Sequence, residues 1–375
     1  MPIDYSKVPS PSFVLDEALL RKNLTLINRV QQEAGIEIIL AFKGFAMWSA
    51  FPIVREYVKG ATASSLHEAR LCFEEMKSPA HTYAVAYRPG EFDEVVKYSS
   101  HITFNSLAQF EQFKSKALGK VSCGLRVNPE WSDVETYLYN PASPISRLGI
   151  TAAQFPEKLP EGIEGLHFHV LCESSAESLE RVLENFEKRF GKHLSNIKWV
   201  NMGGGHLMTR AGYDVEHLIR ILKKFREKYG VQVLLEPGSA FAWQTGDLVT
   251  SVLDIVENGG VKTAILDASF TCHMPDTLEM PYRPEVIGAS REPNSGHPYR
   301  LGGVSCLAGD FLEAYYFEKP LTVGDTLVLR DMIHYTMVKT TMFNGVHHPD
   351  ISIWRNGEAE VVRRFGYVDY KGRLS

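Results

Sequence analysis

The chain has 375 residues, of which 44% are hydrophobic and 23% charged, the composition of a folded globular protein rather than of a disordered or fibrous one. Its formal net charge of -5 argues against the basic surface that nucleic-acid binding requires. Because the N-terminus has no apolar run long enough for a signal peptide or membrane helix, and the five scattered cysteines form no CxxC pair, we expect a cytoplasmic protein with no membrane or nucleic-acid partner.

Short apolar or β-branched runs alternate with helical patterns along the first 240 residues. Eight of these runs are predicted strands: Glu37–Phe42, Gly60–Ser64, Thr82–Ala86, His101–Asn105, Val121–Val127, Gly162–His169, Ile197–Met202 and Val231–Leu235. Apolar residues recur at helical spacing in Leu66–Met76, Ser175–Phe190 and Val215–Tyr229. Strands alternating with helices predict an α/β fold, a (β/α)8 TIM barrel, over residues 14–240.

The pattern changes after Gly238. Three strand-like runs, joined by segments rich in proline and glycine, are Leu248–Glu257, Val261–Asp267 and Thr326–Met332. Met274–Tyr299 contains five prolines and is predicted to be a long loop. We therefore predict a C-terminal antiparallel β domain over residues 241–375, joined by residues 1–13, with Ser12–Asp16 supplying a further strand.

Candidate catalytic groups follow the predicted barrel strands. Lys43 comes directly after the first strand, Arg126 lies near the end of the fifth, and His169 ends the sixth. The glycine run 203–205 follows the seventh strand, and Glu236 follows the eighth. Since active sites of such barrels lie at the C-terminal ends of the strands, these residues are expected to share one face.

Their chemistry suits one cofactor, pyridoxal 5′-phosphate. A lysine with a lowered pKa can form a Schiff base, and the bare amides of a glycine run can approach a phosphate. A carboxylate such as Glu236 keeps a pyridine nitrogen protonated, so that the ring accepts an electron pair. His169 would stack on that ring. This inventory indicates an enzyme that uses pyridoxal 5′-phosphate.

Two residues of the tail extend the inventory. The Cys306 thiol could protonate a carbanion after CO2 leaves, and Tyr335 could donate a hydrogen bond to the phosphate. Each candidate also has a structural alternative: a solvent-facing lysine, a tight glycine turn, an exposed turn glutamate, a buried cysteine or a core tyrosine. His167 shares a strand face with His169, which leaves a metal pair as another alternative, but no third ligand accompanies them. We expect no metal and interpret His167 as a packed core residue.

These motifs together resemble one enzyme family over nearly the whole chain. Lys43, His169, Gly203–Gly205, Glu236-Pro237-Gly238, Cys306, Tyr335-Thr336 and Phe343-Asn344-Gly345 resemble the fold-type III pyridoxal-phosphate decarboxylases, which include ornithine and diaminopimelate decarboxylases and share their fold with alanine racemase. Thr271–Asp276, Leu278–Pro284 and Ser146–Ile150 resemble the carboxynorspermidine (carboxyspermidine) decarboxylase branch. The resemblance implies conversion of carboxynorspermidine or carboxyspermidine to norspermidine or spermidine and CO2, in polyamine biosynthesis.

The resemblance also implies roles for individual residues. Lys43 would bind the cofactor as a Schiff base, His169 would stack on its ring, and Glu236 would hold its pyridine nitrogen. The remaining implied cofactor contacts are Gly204, Gly205, Gly238 and Tyr335 around the phosphate, and Arg126 on the hydroxyl side. Implied contacts to the substrate are Arg147, Ser239, Asp276, Glu279 and Asp310. The enzyme would be a homodimer in which Cys306 reaches the partner's cofactor.

The sequence departs from the wider family at two places, and both departures narrow the range of expected substrates. Ornithine and diaminopimelate decarboxylases usually carry arginine after Glu-Pro-Gly, where this chain has Ser239. They also carry Gly-Ser after the histidine, where this chain has Leu171 and Cys172. Those two substrates therefore remain alternatives only. An amino-acid racemase would place arginine where Glu236 stands, and a non-enzymatic cofactor carrier would not need Cys306 or Asp276.

Overall fold

A computed structural model describes residues 2–136, 140–293 and 295–375. The chain divides into two compact units, Lys22–Phe241 and the pair of segments Met1–Arg21 and Ala242–Ser375. Over the described ranges, no helix combines the length and the apolar character needed to cross a membrane.

The secondary structure alternates strands with helices before residue 242 and is mainly strand after it. The strands are β1 Ser12–Asp16, β2 Glu37–Ile38, β3 Leu40–Ala41, β4 Ala61–Ala63, β5 Ala80–Tyr83, β6 Ser99–Phe104, β7 Ser122–Arg126, β8 Ile163–His167, β9 Trp199–Asn201, β10 Gln232–Leu235, β11 Gly246–Asn258, β12 Val261–Leu266, β13 Ala289–Ser290, β14 His297–Gly302, β15 Phe311–Phe317, β16 Thr326–Leu329, β17 Asp350–Arg355 and β18 Glu358–Arg363. The helices are α1 Glu17–Ala34, α2 Phe51–Val54, α3 Leu66–Leu71, α4 Phe92–Tyr98, α5 Leu107–Ala117, α6 Ala176–Phe190, α7 Val215–Tyr229, α8 Ser239–Ala242, α9 Phe270–His273, α10 Asp276–Glu279 and α11 Tyr367–Leu374.

The first unit is a parallel barrel. Its strands pair in the order β2-β10-β9-β8-β7-β6-β5-β4-β3. The first predicted strand is divided at Ile39, so that β2 pairs with β10 while β3 pairs with β4. The first and last strands of this order, β2 and β3, are therefore parts of the same predicted strand. The sheet closes into a ring through them, which confirms the predicted (β/α)8 barrel.

The barrel helices follow their sequence patterns closely. Helix α7 buries the predicted apolar face of Leu218, Ile219, Leu222 and Phe225. The Asp214 side chain caps its first turn by accepting a hydrogen bond from the amide of His217, and Gly230 ends it in the left-handed region at φ 65°. Some bounds differ from the prediction: α3 continues as a π-helical turn over Cys72–Met76, and β5 and β6 each begin two residues earlier than expected, at Ala80 and Ser99.

Two strand glycines make room for a tryptophan. A Cβ atom on Gly165 of β8 would lie 2.0 Å from the Trp199 ring, and one on Gly124 of β7 would lie 2.2 Å from it. The Trp199 indole is almost fully buried, and its Nε1–H donates to Ser122 Oγ at 2.8 Å. Glycine is therefore required at both positions because a neighbouring strand's side chain occupies the space.

Replacing Gly165 by alanine should destabilise the barrel by about 1–3 kcal/mol, the usual cost of forcing extra volume into a packed interior. Chemical unfolding followed by circular dichroism measures this change. Gly90→Ala is the matched control, because no heavy atom lies within 4 Å of its added Cβ. Equal unfolding midpoints for the two variants would contradict the prediction.

The second unit contains a nine-stranded sheet. Its order is β13-β15-β14-β12-β11-β1-β17-β18, with β16 also pairing with β11. The predicted strand at Ser12–Asp16 is confirmed as β1, which lies between β11 and β17. Most pairs are antiparallel as predicted, but β1 with β17 and β12 with β14 are parallel, so the sheet is mixed.

The long-loop prediction for Met274–Tyr299 was wrong. This segment contains α10, β13 and the start of β14. Pro275 caps the N-terminus of α10, where a missing amide hydrogen costs nothing. Short elements therefore interrupt this proline-rich segment.

Candidate active site

The loops after the first and eighth barrel strands touch through glycines. A Cβ on Gly44 would lie 2.7 Å from the Cα of Gly238, and one on Gly238 would lie 3.0 Å from the Cα of Gly44. The Ala41 amide also donates to the Pro237 carbonyl at 3.0 Å. This contact brings together the loops that carry Lys43 and Glu236. Gly238 is one of the two glycines that form it.

His169 joins the lysine to the glycine loop. Its Nε2 lies 3.0 Å from Lys43 Nζ, and its Nδ1 accepts a hydrogen bond from the Gly204 amide at 3.0 Å. A neutral imidazole carries one N–H, and here Nδ1 is the acceptor, so the hydrogen lies on Nε2. Nε2–H must then donate to Nζ, and only an uncharged amine can accept. The hydrogen-bond pattern therefore makes Lys43 a neutral amine.

Electrostatics agrees with this pattern. Burial lowers the pKa of His169 far below its ordinary value, which keeps the imidazole neutral. Protein atoms crowded around the Lys43 amine remove hydration and lower its pKa, the Arg126 charge lowers it further, and Glu236 opposes both. The Lys43 side chain is nevertheless solvent-accessible. A neutral, accessible amine is the nucleophilic form of lysine.

The Glu236 carboxyl group is almost fully buried, at 8% exposure. Its Oε1 accepts a hydrogen bond from Asn201 Nδ2 at 2.6 Å, and its Oε2 lies 3.7 Å from His167 Nε2. Burial raises the pKa of Glu236, while the hydrogen bond from Asn201 lowers it. A buried carboxylate with one oxygen lacking a close cationic partner is suited to pairing with a ring N–H⁺.

The glycine run 203–205 packs against the chain that follows β8. Gly203 and Gly205 have φ values of 69° and 91°, in the left-handed region that favours glycine. A Cβ on Gly205 would lie 2.2 Å from the Leu171 carbonyl oxygen, and one on Gly203 would lie 2.5 Å from that of Phe168. The loop is thus a bare backbone turn after a barrel strand, the arrangement that can hold a phosphate.

The Arg126 side chain holds the backbone of His169 through a hydrogen bond. It is 4% exposed, its Nη2 donates to the His169 carbonyl at 3.0 Å, and its guanidinium carbon lies 4.6 Å from the Tyr83 ring centroid. His167 is 2% exposed, and neither of its ring nitrogens makes a hydrogen bond. Among the residues that the structure describes, no group of three His, Cys, Asp or Glu side chains could hold a metal ion.

The residues that the barrel brings together fit pyridoxal 5′-phosphate by their chemistry. The neutral Lys43 amine suits the aldehyde, and the buried Glu236 carboxylate suits the pyridine nitrogen. The turn at 203–205 offers backbone amides without side chains, which suits a phosphate.

Two histidines with lowered pKa values, the half-buried His101 and the buried His206, make the stability of the barrel depend on pH. Burial lowers the pKa values of His101 and His206 to about 4. Below pH 6.5 the unfolded chain binds protons that the folded chain cannot, so each should remove about 1.4 kcal/mol per pH unit down to its folded pKa. Melting temperatures of the cofactor-free protein from pH 8 to 4.5 should fall below pH 6.5, less steeply for His101→Gln. A flat profile would contradict this.

Asp276, in the sheet unit, has one oxygen without a partner. The hydroxyls of Thr336 and Tyr282 both donate to Oδ2 at 2.8 Å. Oδ1 is buried and makes no hydrogen bond. Glu279, one turn of α10 away, forms an ion pair with Lys339. Asp276 therefore presents an open acceptor oxygen, whereas Glu279 already has a cationic partner.

Cys306 lies exposed on a loop held by two side chains. Its amide donates to Asn344 Oδ1 at 3.0 Å. Asp310 is 4% exposed and accepts from Ser269 Oγ at 2.8 Å, from the Thr271 amide at 2.9 Å and from the Ser305 amide at 3.1 Å. Both Asp310 oxygens are thus engaged by the chain itself, which departs from the predicted contact with substrate.

The other predicted positions are spread over both units. Tyr335, in the sheet unit, has the strained φ of 47°. In the barrel unit, Arg147 is exposed, and its backbone carbonyl accepts a hydrogen bond from Asn105 Nδ2 at 2.9 Å. Ser239 is the half-buried first residue of α8.

The sequence patterns did not single out Asn201 or Tyr83 as site residues, and they did not predict the contact of Asn344 with the Cys306 amide. Asn201 ends β9 with its side chain 3% exposed, and Tyr83 stacks on Arg126. A polar residue in a predicted apolar strand, two positions before a glycine run, was the available signal for Asn201. Asn344 belonged to a recognised motif, but its contact with the Cys306 amide depends on the tertiary structure.

Comparison with known proteins identifies the same class of cofactor-dependent enzyme that the site geometry indicates. The family described as pyridoxal-dependent decarboxylase, C-terminal sheet domain, matches residues 13–333. The carboxyaminopropylagmatine decarboxylase of Synechocystis sp. is 52% identical over 98% of this chain and 96% of its own. The carboxynorspermidine/carboxyspermidine decarboxylase of Campylobacter jejuni is 48% identical over 98% of this chain and 99% of its own.

A solved structure extends the likeness to the backbone. Carboxynorspermidine decarboxylase from Campylobacter jejuni, complexed with norspermidine, superposes with a TM-score of 0.91 at 46% identity, covering 98% of this chain and 100% of that one. The match includes the barrel and the mixed sheet. The chain therefore belongs to the pyridoxal-dependent decarboxylase family.

Proposed function

We propose that this protein decarboxylates carboxynorspermidine and carboxyspermidine to norspermidine and spermidine, with pyridoxal 5′-phosphate as its cofactor, in polyamine biosynthesis. The observation that carries the proposal is the neutral Lys43 amine held by His169 in a barrel mouth that also contains the buried Glu236 carboxylate. The relatives named above act on carboxylated polyamines, and they support this substrate class. The homodimer and the cytoplasmic location stay predictions.

The barrel residues bind and orient the cofactor. Pyridoxal 5′-phosphate supplies an aldehyde that condenses with amines and a ring that accepts the electron pair left when CO2 departs. Lys43 would hold that aldehyde through its amine, and Glu236 would keep the ring nitrogen protonated. The Gly205 amide would bind the phosphate, while Tyr335 and Gly204, whose amide already donates to His169 Nδ1, stay predicted contacts. Arg126, which fixes the backbone of His169, would lie on the cofactor's hydroxyl side, and His169 would stack on the ring.

The sheet residues hold the substrate and a proton. The Cys306 thiol of the partner subunit donates the proton that replaces CO2 at the substrate α-carbon. The open Oδ1 of Asp276 accepts a hydrogen bond from a substrate ammonium, because a buried carboxylate oxygen without a partner is costly. Glu279, which already forms an ion pair with Lys339, stays a predicted contact, as do Arg147 and Ser239. We assign Asp310 to shaping the Cys306 loop.

A second candidate substrate is carboxyaminopropylagmatine. The relative with this activity is 52% identical, which favours it. The agmatine end carries a planar guanidinium, which binds a carboxylate best through two parallel hydrogen bonds. Asp276 has only Oδ1 open, because Oδ2 already accepts two hydroxyls. A single acceptor suits an ammonium better, which supports the first candidate.

A mass-spectrometric turnover assay with the pyridoxal-phosphate-loaded protein tests the proposal. The parallel substrates are carboxynorspermidine, carboxyspermidine, carboxyaminopropylagmatine, ornithine and meso-diaminopimelate. Turnover of the first two supports the proposal, and faster turnover of the third selects the second candidate. Conversion of ornithine or diaminopimelate alone would overturn the polyamine assignment. Exchange of α-hydrogen without CO2 release would indicate a racemase, and cofactor binding without any turnover would indicate a carrier.

Asp276→Asn should lower kcat/KM by about 10- to 100-fold, mainly through KM, since a charge-assisted hydrogen bond to the substrate is lost. Steady-state CO2 release with the preferred triamine measures the change. Asp254→Asn removes an exposed carboxylate on β11 and serves as the control. A KM equal to that of the control would exclude Asp276 from the substrate site.

A further inference from the structure

Both ends of the Asn201 amide are engaged in the barrel. Nδ2 donates to Glu236 Oε1 at 2.6 Å, and Oδ1 accepts from the Gly203 amide at 2.9 Å. A flipped amide would turn its oxygen toward the carboxylate and its NH2 toward an N–H, losing both bonds. The side chain is 3% exposed, so no solvent replaces either partner. One residue thus links the acidic group to the glycine loop.

The two partners of Asn201 are also bonded to each other. The Glu236 amide donates to the Gly203 carbonyl at 2.7 Å. Gly203 stands at φ 69°, and its backbone is pressed against the Phe168 carbonyl. The carboxylate of Glu236 and the first residue of the loop therefore belong to one closed ring of hydrogen bonds that runs through the Asn201 side chain.

We propose that Asn201 is a positioning residue that sets both the charge of Glu236 and the conformation of the phosphate-binding glycine loop. The inference rests on the proposed cofactor roles of those two groups. Asn201 itself does not touch the cofactor. Its donor N–H stabilises the ionised carboxylate, which the ring nitrogen requires. Its oxygen holds the Gly203 amide and thereby fixes the loop, in which the Gly204 amide donates to His169 and the Gly205 amide is available to the phosphate.

Two variants separate these effects. Asn201→Asp keeps an acceptor for the Gly203 amide but loses the donor to Glu236. Asn201→Leu has a similar volume and loses both bonds. Titration of the cofactor-free protein gives Kd values for pyridoxal 5′-phosphate and for pyridoxal, which lacks the phosphate. The quotient of the two Kd values measures what the phosphate contributes to binding.

For Asn201→Leu we expect the pyridoxal-phosphate Kd to rise about 10- to 100-fold, with much less change for pyridoxal, because the loop loses its anchor. For Asn201→Asp we expect the phosphate contribution to be retained. In the pH profile of this variant, the fall of kcat toward acidic pH should instead begin at a higher pH, because a carboxylate beside Glu236 raises the pKa of Glu236. A residue with a merely structural role would not move the pH profile.

Asn128 provides the matched control. It is a buried barrel asparagine whose Oδ1 accepts from the Glu130 amide at 2.8 Å, and Asn128→Asp and Asn128→Leu should leave the phosphate contribution unchanged. Circular dichroism verifies that each variant is folded. If Glu236→Gln impairs turnover but neither Asn201 variant differs from its control, the Asn201 inference alone is overturned. If Glu236→Gln is also without effect, the cofactor assignment itself fails.

Discussion

Lys43→Ala is expected to abolish the lysine adduct that borohydride traps in the cofactor-loaded protein and to lower kcat/KM on the order of 10⁴-fold or more. The reason is that Lys43 is the neutral amine of the barrel mouth, with His169 Nε2–H donating to it. Mass spectrometry of peptides after reduction identifies the modified lysine. Decarboxylation measured on the same sample gives the rate.

Lys120→Ala, which removes an exposed lysine of the barrel unit, should retain both the adduct and the rate. Exogenous methylamine should restore part of the activity of Lys43→Ala, because a free amine can replace the missing nucleophile. An adduct that persists on another lysine in Lys43→Ala would refute the assignment of the nucleophile.

Cys306→Ala is expected to lower kcat by about 10²- to 10⁴-fold, the usual contribution of a positioned proton donor. The Kd for pyridoxal 5′-phosphate should stay unchanged, since the thiol acts on the substrate carbon. Rapid-quench measurement of CO2 and polyamine in parallel separates loss of CO2 from protonation. Polyamine should form more slowly than CO2, or be replaced by another product.

Cys172→Ala is the control, because Cys172 is the other exposed cysteine within the described residues. Mixing Lys43→Ala protein with Cys306→Ala protein tests the shared site. Activity should be recovered in the mixture, since a mixed dimer contains one site with an intact lysine and a partner cysteine. Without such recovery, the thiol would act within its own subunit or the protein would not exchange subunits; unchanged kcat in Cys306→Ala would make it structural.

Local sequence signals were sufficient for most of the barrel. Alternating apolar runs and helix caps depend on residues close in the chain, so β4 to β10 and helices α6 and α7 could be predicted from their own segments. The sheet unit was less predictable. Strands β14, β15, β17 and β18 lacked a recognised pattern, since their pairing joins residues far apart in sequence.

The candidate site divides in the same way. Residue type and position after a strand were enough to single out Lys43, Glu236 and the glycine run, because barrel strand ends converge whatever the intervening sequence. Asp310 shows the opposite case: its acidity suggested substrate binding, yet its oxygens accept three hydrogen bonds from its own chain.

What the amino-acid sequence determined by itself was the chemical inventory: an amine, an imidazole, a carboxylate, a thiol and a bare glycine turn. Only the tertiary structure decided their states. The neutral Lys43 depends on the Gly204 amide reaching His169, and the bond from Asn201 to Glu236 depends on two strands lying side by side. Hydrogen-bond partners and burial set protonation, and both arise from residues that the chain brings together over long sequence distances.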